Sequence, residues 1–191
     1  GGAGSSRACS VVRRPTRRSG LLILLLMAAI SAGPAEAQQA QGRADRAVAL
    51  TFDDLPATRS GRLDEMQQIT VRLLGHLREH GIPAIGFVNE VKLGIAGEEA
   101  PRKALLEAWL DAGHDLGNHT YSHLRLYDTP LAAYEDDVMR GERVTRALMA
   151  ARGRELRYFR HPTLNTGPDL PTKRAFEQFL SGHGYVVGPV T

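Results

Sequence analysis

Ala47-Val48-Ala49-Leu50-Thr51-Phe52-Asp53-Asp54 is an apolar run that stops on two carboxylates. So short a run, bounded by polar residues, reads as a strand buried on both faces, the kind that parallel sheets use. Its C-terminal end then presents Asp53 and Asp54. Outward from it, the chain repeats one unit. Met66, Ile69, Leu73, Leu74 and Leu77 fall at helical spacing over 63–80, and Gly81 stops that helix. Ala84–Val88 reads as a second strand. Pro101–Ala112 reads as a second helix, with Pro101 suited to its first turn and Leu105, Leu106, Trp109 and Leu110 facing inward. His114–Asn118 is a third strand, and 131–152 one long helix with Tyr134, Val138, Val144, Leu148 and Met149 as its apolar members. Arg157–Arg160 is a fourth strand, 171–182 a fourth helix, and Gly184–Val187 opens a fifth strand. Strand and helix alternate, which predicts βαβ units, a parallel sheet and an α/β fold. In parallel α/β barrels the reactive groups gather where strands end.

His119-Thr120-Tyr121-Ser122-His123 follows the third strand. On a helical turn, residues i and i+4 share one face, so both imidazoles can reach one metal ion. A carboxylate from the upstream acid pair would complete a site of two histidines and one carboxylate with a position open for water. An isolated pair at this spacing is more often a solvated helix face. His76 and His80 share the spacing but have no acid pair beside them, and they read as surface. What favours a metal at His119 and His123 is order: acid pair, histidine pair, then Arg160-His161-Pro162, with the first and last each following an apolar run.

These three segments, in this order, resemble the motifs of the polysaccharide deacetylases, the NodB-homology or carbohydrate esterase family 4 domain. Thr51–Asp54 matches T-F-D-D, His119–His123 matches H-[ST]-x-x-H, and Arg160–Pro162 matches R-x-P. The resemblance runs from about Ala47 to Thr191. It implies a distorted parallel (β/α) barrel, incomplete at its C-terminal side, because the family's fourth and fifth motifs do not appear. It also implies a metal-dependent hydrolase that removes N-acetyl groups from an amino sugar of a glycan. Asp54, His119 and His123 would be the metal ligands, Asp53 the general base, and Arg160 the cation paired with that base. The family often follows R-x-P with Tyr-Gly, whose tyrosine N–H helps hold the oxyanion. Thr163-Leu164 stands here, so Thr163 inherits the oxyanion and substrate position through its main chain. Zinc suits the donor set, while cobalt, nickel and manganese remain compatible with two His and one Asp. Two alternatives stay open: hydrolysis of another non-peptide C–N bond in a small amide, and a non-catalytic fragment that binds metal or glycan. His161 and His183 are the remaining candidates for a proton donor to the leaving amine.

Composition narrows the partners. Arg13, Arg14, Arg17 and Arg18 precede the apolar run Leu21–Ile30, and Ala35-Glu36-Ala37 supplies a small-x-small site. That pattern describes a secretory signal peptide over 1–37 and predicts a secreted or periplasmic protein. The apolar run is too short for a stable membrane span. Residues 38–46 read as a polar linker, and 47–191 as the catalytic domain. The segment 1–37 holds five of the 24 basic and one of the 21 acidic residues, which leaves 19 basic and 20 acidic and a net charge of −1. The overall charge of +3 therefore belongs to the signal, and no basic patch argues for nucleic acid. Cys9, the one cysteine, lies upstream of the apolar run, so the domain has no disulfide and no thiol nucleophile. The first residue is Gly and the first Met is Met27, so a longer reading frame is expected.

Overall fold

The computed structural model describes residues 47–58 and 60–190. The expected signal peptide (1–37) and linker (38–46) lie outside the described residues. Five strands, β1 (Leu50–Leu55), β2 (Ala84–Val88), β3 (Asp115–Asn118), β4 (Tyr158–Phe159) and β5 (Val186–Val187), form one sheet in the order β1-β2-β3-β4-β5. Every pairing is parallel, with Thr51 opposite Ile85, Gly86 opposite Leu116, Asn118 opposite Phe159 and Tyr158 opposite Val186. The helices are α1 (Leu63–Glu79), α2 (Glu99–Asp111), α3 (Leu131–Arg140), α4 (Arg143–Ala150) and α5 (Leu170–Gly182). The parallel α/β architecture is the one expected from the alternation of apolar runs and helical stripes.

The core follows those stripes. Leu106, Trp109, Leu116, Tyr134, Val138, Phe159 and Phe176 are buried together in one cluster. Trp109 sets its ring edge-on to Phe52 at 5.6 Å, joining the second helix to the first strand. Such buried aromatic area is the main driving force for closing helices onto the sheet.

Four expectations change in detail. β1 begins at Leu50, not Ala47, and runs through the acid pair; Val48 is exposed. The fourth strand contracts from 157–160 to Tyr158–Phe159, followed by a 3-10 turn at Pro162–Leu164. The long helix over 131–152 is two helices, broken at Gly141-Glu142. A Cβ at Gly141 would lie 2.5 Å from the carbonyl carbon of Thr120 and 2.5 Å from the nitrogen of Tyr121. The break lets the backbone of the histidine segment lie against the helix end, where only glycine leaves room. Finally, 119–123 is not a helical turn. It is a loop in which Thr120 (φ 63°) and His123 (φ 62°) are both left-handed.

Candidate active site

The first carboxylates arrive on β1. Between Phe52 and Leu55 the ladder slips: Phe52 faces Gly86 and Leu55 faces Val88, so β1 spends one residue more than β2. This is a bulge, and bulges re-aim side chains. Asp54 sits in it with φ 67°, a conformation that Asp tolerates better than most residues. Lys92, on the 3-10 turn Glu90–Leu93 that follows β2, holds it there. Its ammonium donates to the main-chain oxygens of Asp54 (2.8 Å) and Ala57 (3.2 Å), and lies 3.7 Å from Asp54 Oδ1. Burial pushes the Lys92 pKa down, with the neighbouring Asp54 opposing that shift.

Both histidines come from the loop after β3. Asn118, the last residue of that strand, accepts the Thr120 N–H at 2.7 Å, and Thr120 Oγ1 in turn accepts the His123 N–H at 3.0 Å. Asn89, one residue beyond β2, donates to the main-chain oxygens of His119 (2.5 Å) and Thr120 (3.3 Å). These polar side chains supply what a helix would have supplied from its own ladder. His119 Nδ1 lies 2.8 Å from the main-chain oxygen of Arg160. A carbonyl only accepts, so Nδ1 carries the hydrogen and the Nε2 lone pair is left for a metal. Burial lowers the His119 pKa, against the opposing pull of the Arg160 carbonyl, Asp53 and Asp54. The neutral form is the one that binds a metal.

The three expected ligands converge. Asp54 Oδ1 is 3.4 Å from His123 Nε2 and 3.9 Å from His119 Nε2, and one ligand atom from each residue lies within 4.8 Å of the others. A tetrahedral site with bonds of about 2.0–2.2 Å needs ligand separations of about 3.3–3.6 Å, so the donor set fits a divalent ion of zinc's size with little movement. His76 is not in this group; it is exposed and lies 3.8 Å from Glu79.

Asp53 faces a different partner. Arg160, directly after β4, is 2% exposed, and its Nη1 lies 3.3 and 3.4 Å from the two Asp53 oxygens. The rest of the guanidinium is spoken for: Nε donates to Gly188 O (2.8 Å), and Nη2 to Thr51 Oγ1 (3.2 Å) and Pro189 O (3.4 Å). Its central carbon stands 4.5 Å above the Phe87 ring, a cation–π arrangement. One carboxylate thus faces two imidazoles while its neighbour faces a fixed cation. Such division suits a metal ligand beside a proton acceptor. Thr163 lies in the turn just after Arg160, exposed and left-handed (φ 55°).

The two spare histidines are not among the three converging ligands. His161 is buried, its ring edge-on to Phe159 (5.2 Å) and Phe176 (5.4 Å). Burial brings its pKa down to about 4. His183 is exposed, caps α5 and bonds through Nδ1 to Phe179 O at 2.8 Å. Lys92, Asn89 and Asn118 were not foreseen as site residues. Their one sequence signal is polarity where a buried strand ends, at Asn89 after β2 and at Asn118 closing β3.

Comparison with known proteins agrees with the fold. The polysaccharide deacetylase family model matches residues 40–178, well over half of the chain. A peptidoglycan-N-acetylglucosamine deacetylase of Bacillus cereus is 31% identical over 101 residues, which is 53% of this chain and 31% of that protein. The chitin deacetylase of Colletotrichum lindemuthianum superposes with a TM-score of 0.53 at 27% identity, covering 73% of this chain and 53% of that one. A family 4 carbohydrate esterase of Streptomyces lividans, solved with acetate, shares the fold with a TM-score of 0.53 at 24% identity, over 75% of this chain and 62% of that one. The chain therefore spans about a third of the curated relative and between half and two thirds of these structures. With the motifs, the converging ligands and the family match in agreement, this chain belongs to the polysaccharide deacetylase family.

Proposed function

We propose that this chain carries the metal-dependent centre of a hydrolase that removes N-acetyl groups from an amino sugar of a glycan. The observation that carries the proposal is the split acid pair, with Asp54 against His119 and His123 and Asp53 against Arg160. Asp54, His119 and His123 would hold a divalent ion, zinc by donor type. That ion supplies a Lewis acid for the acetamide carbonyl and makes water acidic enough to be deprotonated near neutral pH. Asp53 accepts the proton from the attacking water. The Arg160 guanidinium donates to Asp53 and fixes its direction. The Arg160 carbonyl holds His119 in the tautomer that leaves Nε2 unprotonated. The Thr163 N–H is assigned to the oxygen that becomes negative as the acyl carbon turns tetrahedral. The glycan relatives and the basic, apolar segment at the N-terminus support a substrate outside the cytoplasm. Among the described residues, no helix is long and apolar enough to cross a membrane.

The experiment combines metal content with acetate release. The protein with added zinc should release acetate from peptidoglycan or an N-acetylated chitin oligomer. Asp54→Ala, His119→Ala and His123→Ala should each bring bound divalent metal to background, and His76→Ala should not. Full metal occupancy in both histidine variants would remove the metal assignment. Metal binding with no acetate release from any acetylated glycan would favour another amide as substrate.

A further inference from the structure

Asp137 lies on α3, is 4% exposed, and makes no ion pair among the described residues. What meets it is the loop between the two histidines. The Tyr121 N–H donates to the Asp137 main-chain oxygen at 3.0 Å. The Ser122 N–H donates to Asp137 Oδ2 at 3.0 Å, and the Ser122 hydroxyl to Oδ1 at 2.7 Å. All three donors belong to residues standing between His119 and His123.

That placement bears on the site because the loop has no ladder of its own. Thr120 and His123 are left-handed, so the span between the imidazoles is held open by partners from outside. Asn89 and Asn118 grip its beginning, at His119 and Thr120. Asp137 grips its middle, through both carboxylate oxygens and its main-chain oxygen. One turn further along, Gly141 touches the backbone of Thr120 and Tyr121. The end of α3 is thus a platform on which the loop lies. A buried carboxylate whose side-chain donors both come from Ser122 has no evident role in the core.

Resting on the metal-centre reading above, we propose that Asp137 is a positioning residue: by holding Tyr121 and Ser122, it sets the spacing of His119 and His123 and so the affinity of the site for a divalent ion. It touches neither metal nor substrate.

The test uses zinc itself as the probe, in the full chain, by competition with a chromophoric chelator, alongside hydrogen exchange at the Ser122 amide in zinc-free protein. Asp137→Ala and Ser122→Ala should weaken zinc binding about 10- to 100-fold, the usual cost of losing a partner that orients metal ligands. Asp137→Asn keeps an acceptor for the Ser122 N–H and should lose less than Asp137→Ala. Circular dichroism establishes that each variant is folded at the temperature used. If Asp137→Ala does not fold, Ser122→Ala carries the test, since it deletes one hydroxyl. Zinc affinities within twofold of wild type in the folded variants would overturn the proposal. If the wild type takes up no zinc, the metal-centre reading fails separately. Exchange at Ser122 then decides the clamp: faster exchange in Asp137→Ala supports it, and unchanged exchange sinks it.

Discussion

Arg160→Met is the perturbation whose cost can be worked most fully from the structure. The guanidinium is 2% exposed and serves four acceptor groups. Methionine retains apolar contact with Phe87 but serves none of them. Losing the donors to Gly188 O and Thr51 Oγ1 costs about 1–1.5 kcal/mol each. The pair with Asp53 is worth less than a fully buried one, because the Asp53 side chain is 36% exposed and water takes over part of the task; about 1 kcal/mol is reasonable. The total is about 3–4 kcal/mol. For a domain of this size, each kcal/mol moves Tm by about 2–4 °C, so a drop of about 6–16 °C is expected. Arg160→Lys keeps the charge but not the fan of donors, and should lose roughly half as much. Thermal unfolding followed by circular dichroism gives both numbers. A double-mutant cycle with Asp53→Asn should return a coupling of about 1 kcal/mol. A Tm for Arg160→Met within 2 °C of wild type would show that this hub contributes nothing to the fold.

Three further outcomes are expected. Asp53→Asn should lower hydrolysis by about a hundred- to ten-thousand-fold, the usual cost of losing a positioned base, while bound metal stays at wild-type level in elemental analysis; lost metal would mean that the two aspartates have exchanged roles. Gly141→Ala puts a methyl 2.5 Å from main-chain atoms of the histidine loop and should cost about 1–3 kcal/mol in denaturant unfolding, together with weaker zinc binding; an unchanged midpoint would refute the close approach. His161 has a folded pKa of about 4, below the usual imidazole value of about 6.5, so the unfolded chain binds the extra proton first. The stability it contributes is complete above about pH 6.5 and is lost as pH falls toward about 4, a difference of about 3 kcal/mol. His161→Phe should flatten that acid limb in unfolding measured between pH 7 and 4, and a limb of unchanged depth would acquit His161.

The strands and most helices were legible because each depends on a local pattern: short apolar runs for β1 and β2, helical stripes for α1, α2 and α5. The break after Arg140 was not, because Gly141 is tolerable inside a helix on local grounds. Its reason is the backbone of Thr120 and Tyr121, far away in sequence. The grouping of Asp54, His119 and His123 was legible from motif order, but its geometry was not. Spacing suggested a helical turn at His119–His123, whereas side chains from Asn89, Asn118 and Asp137 fix a loop with two left-handed residues. The pairing of Asp53 with Arg160 spans 107 residues and follows from no periodicity; only the resemblance suggested it. Lys92 was invisible for the same reason, since its acceptors are carbonyls exposed by a bulge that no residue pattern announces.

Arg160 speaks to the site in two voices. Its side chain reaches Asp53, while its carbonyl receives the hydrogen of His119. Only the first is written in the genetic code: a peptide oxygen is there whichever codon stands at 160. That oxygen is held in place by the neighbouring strand, through the Arg160 N–H on Asn118 O at 3.0 Å. Point mutation can therefore strip the cation from the acid while leaving the imidazole's protonation pattern untouched, and drift at this position is buffered for one task and exposed for the other. To disturb the histidine, the change must slide one strand along another, as an inserted or deleted residue would.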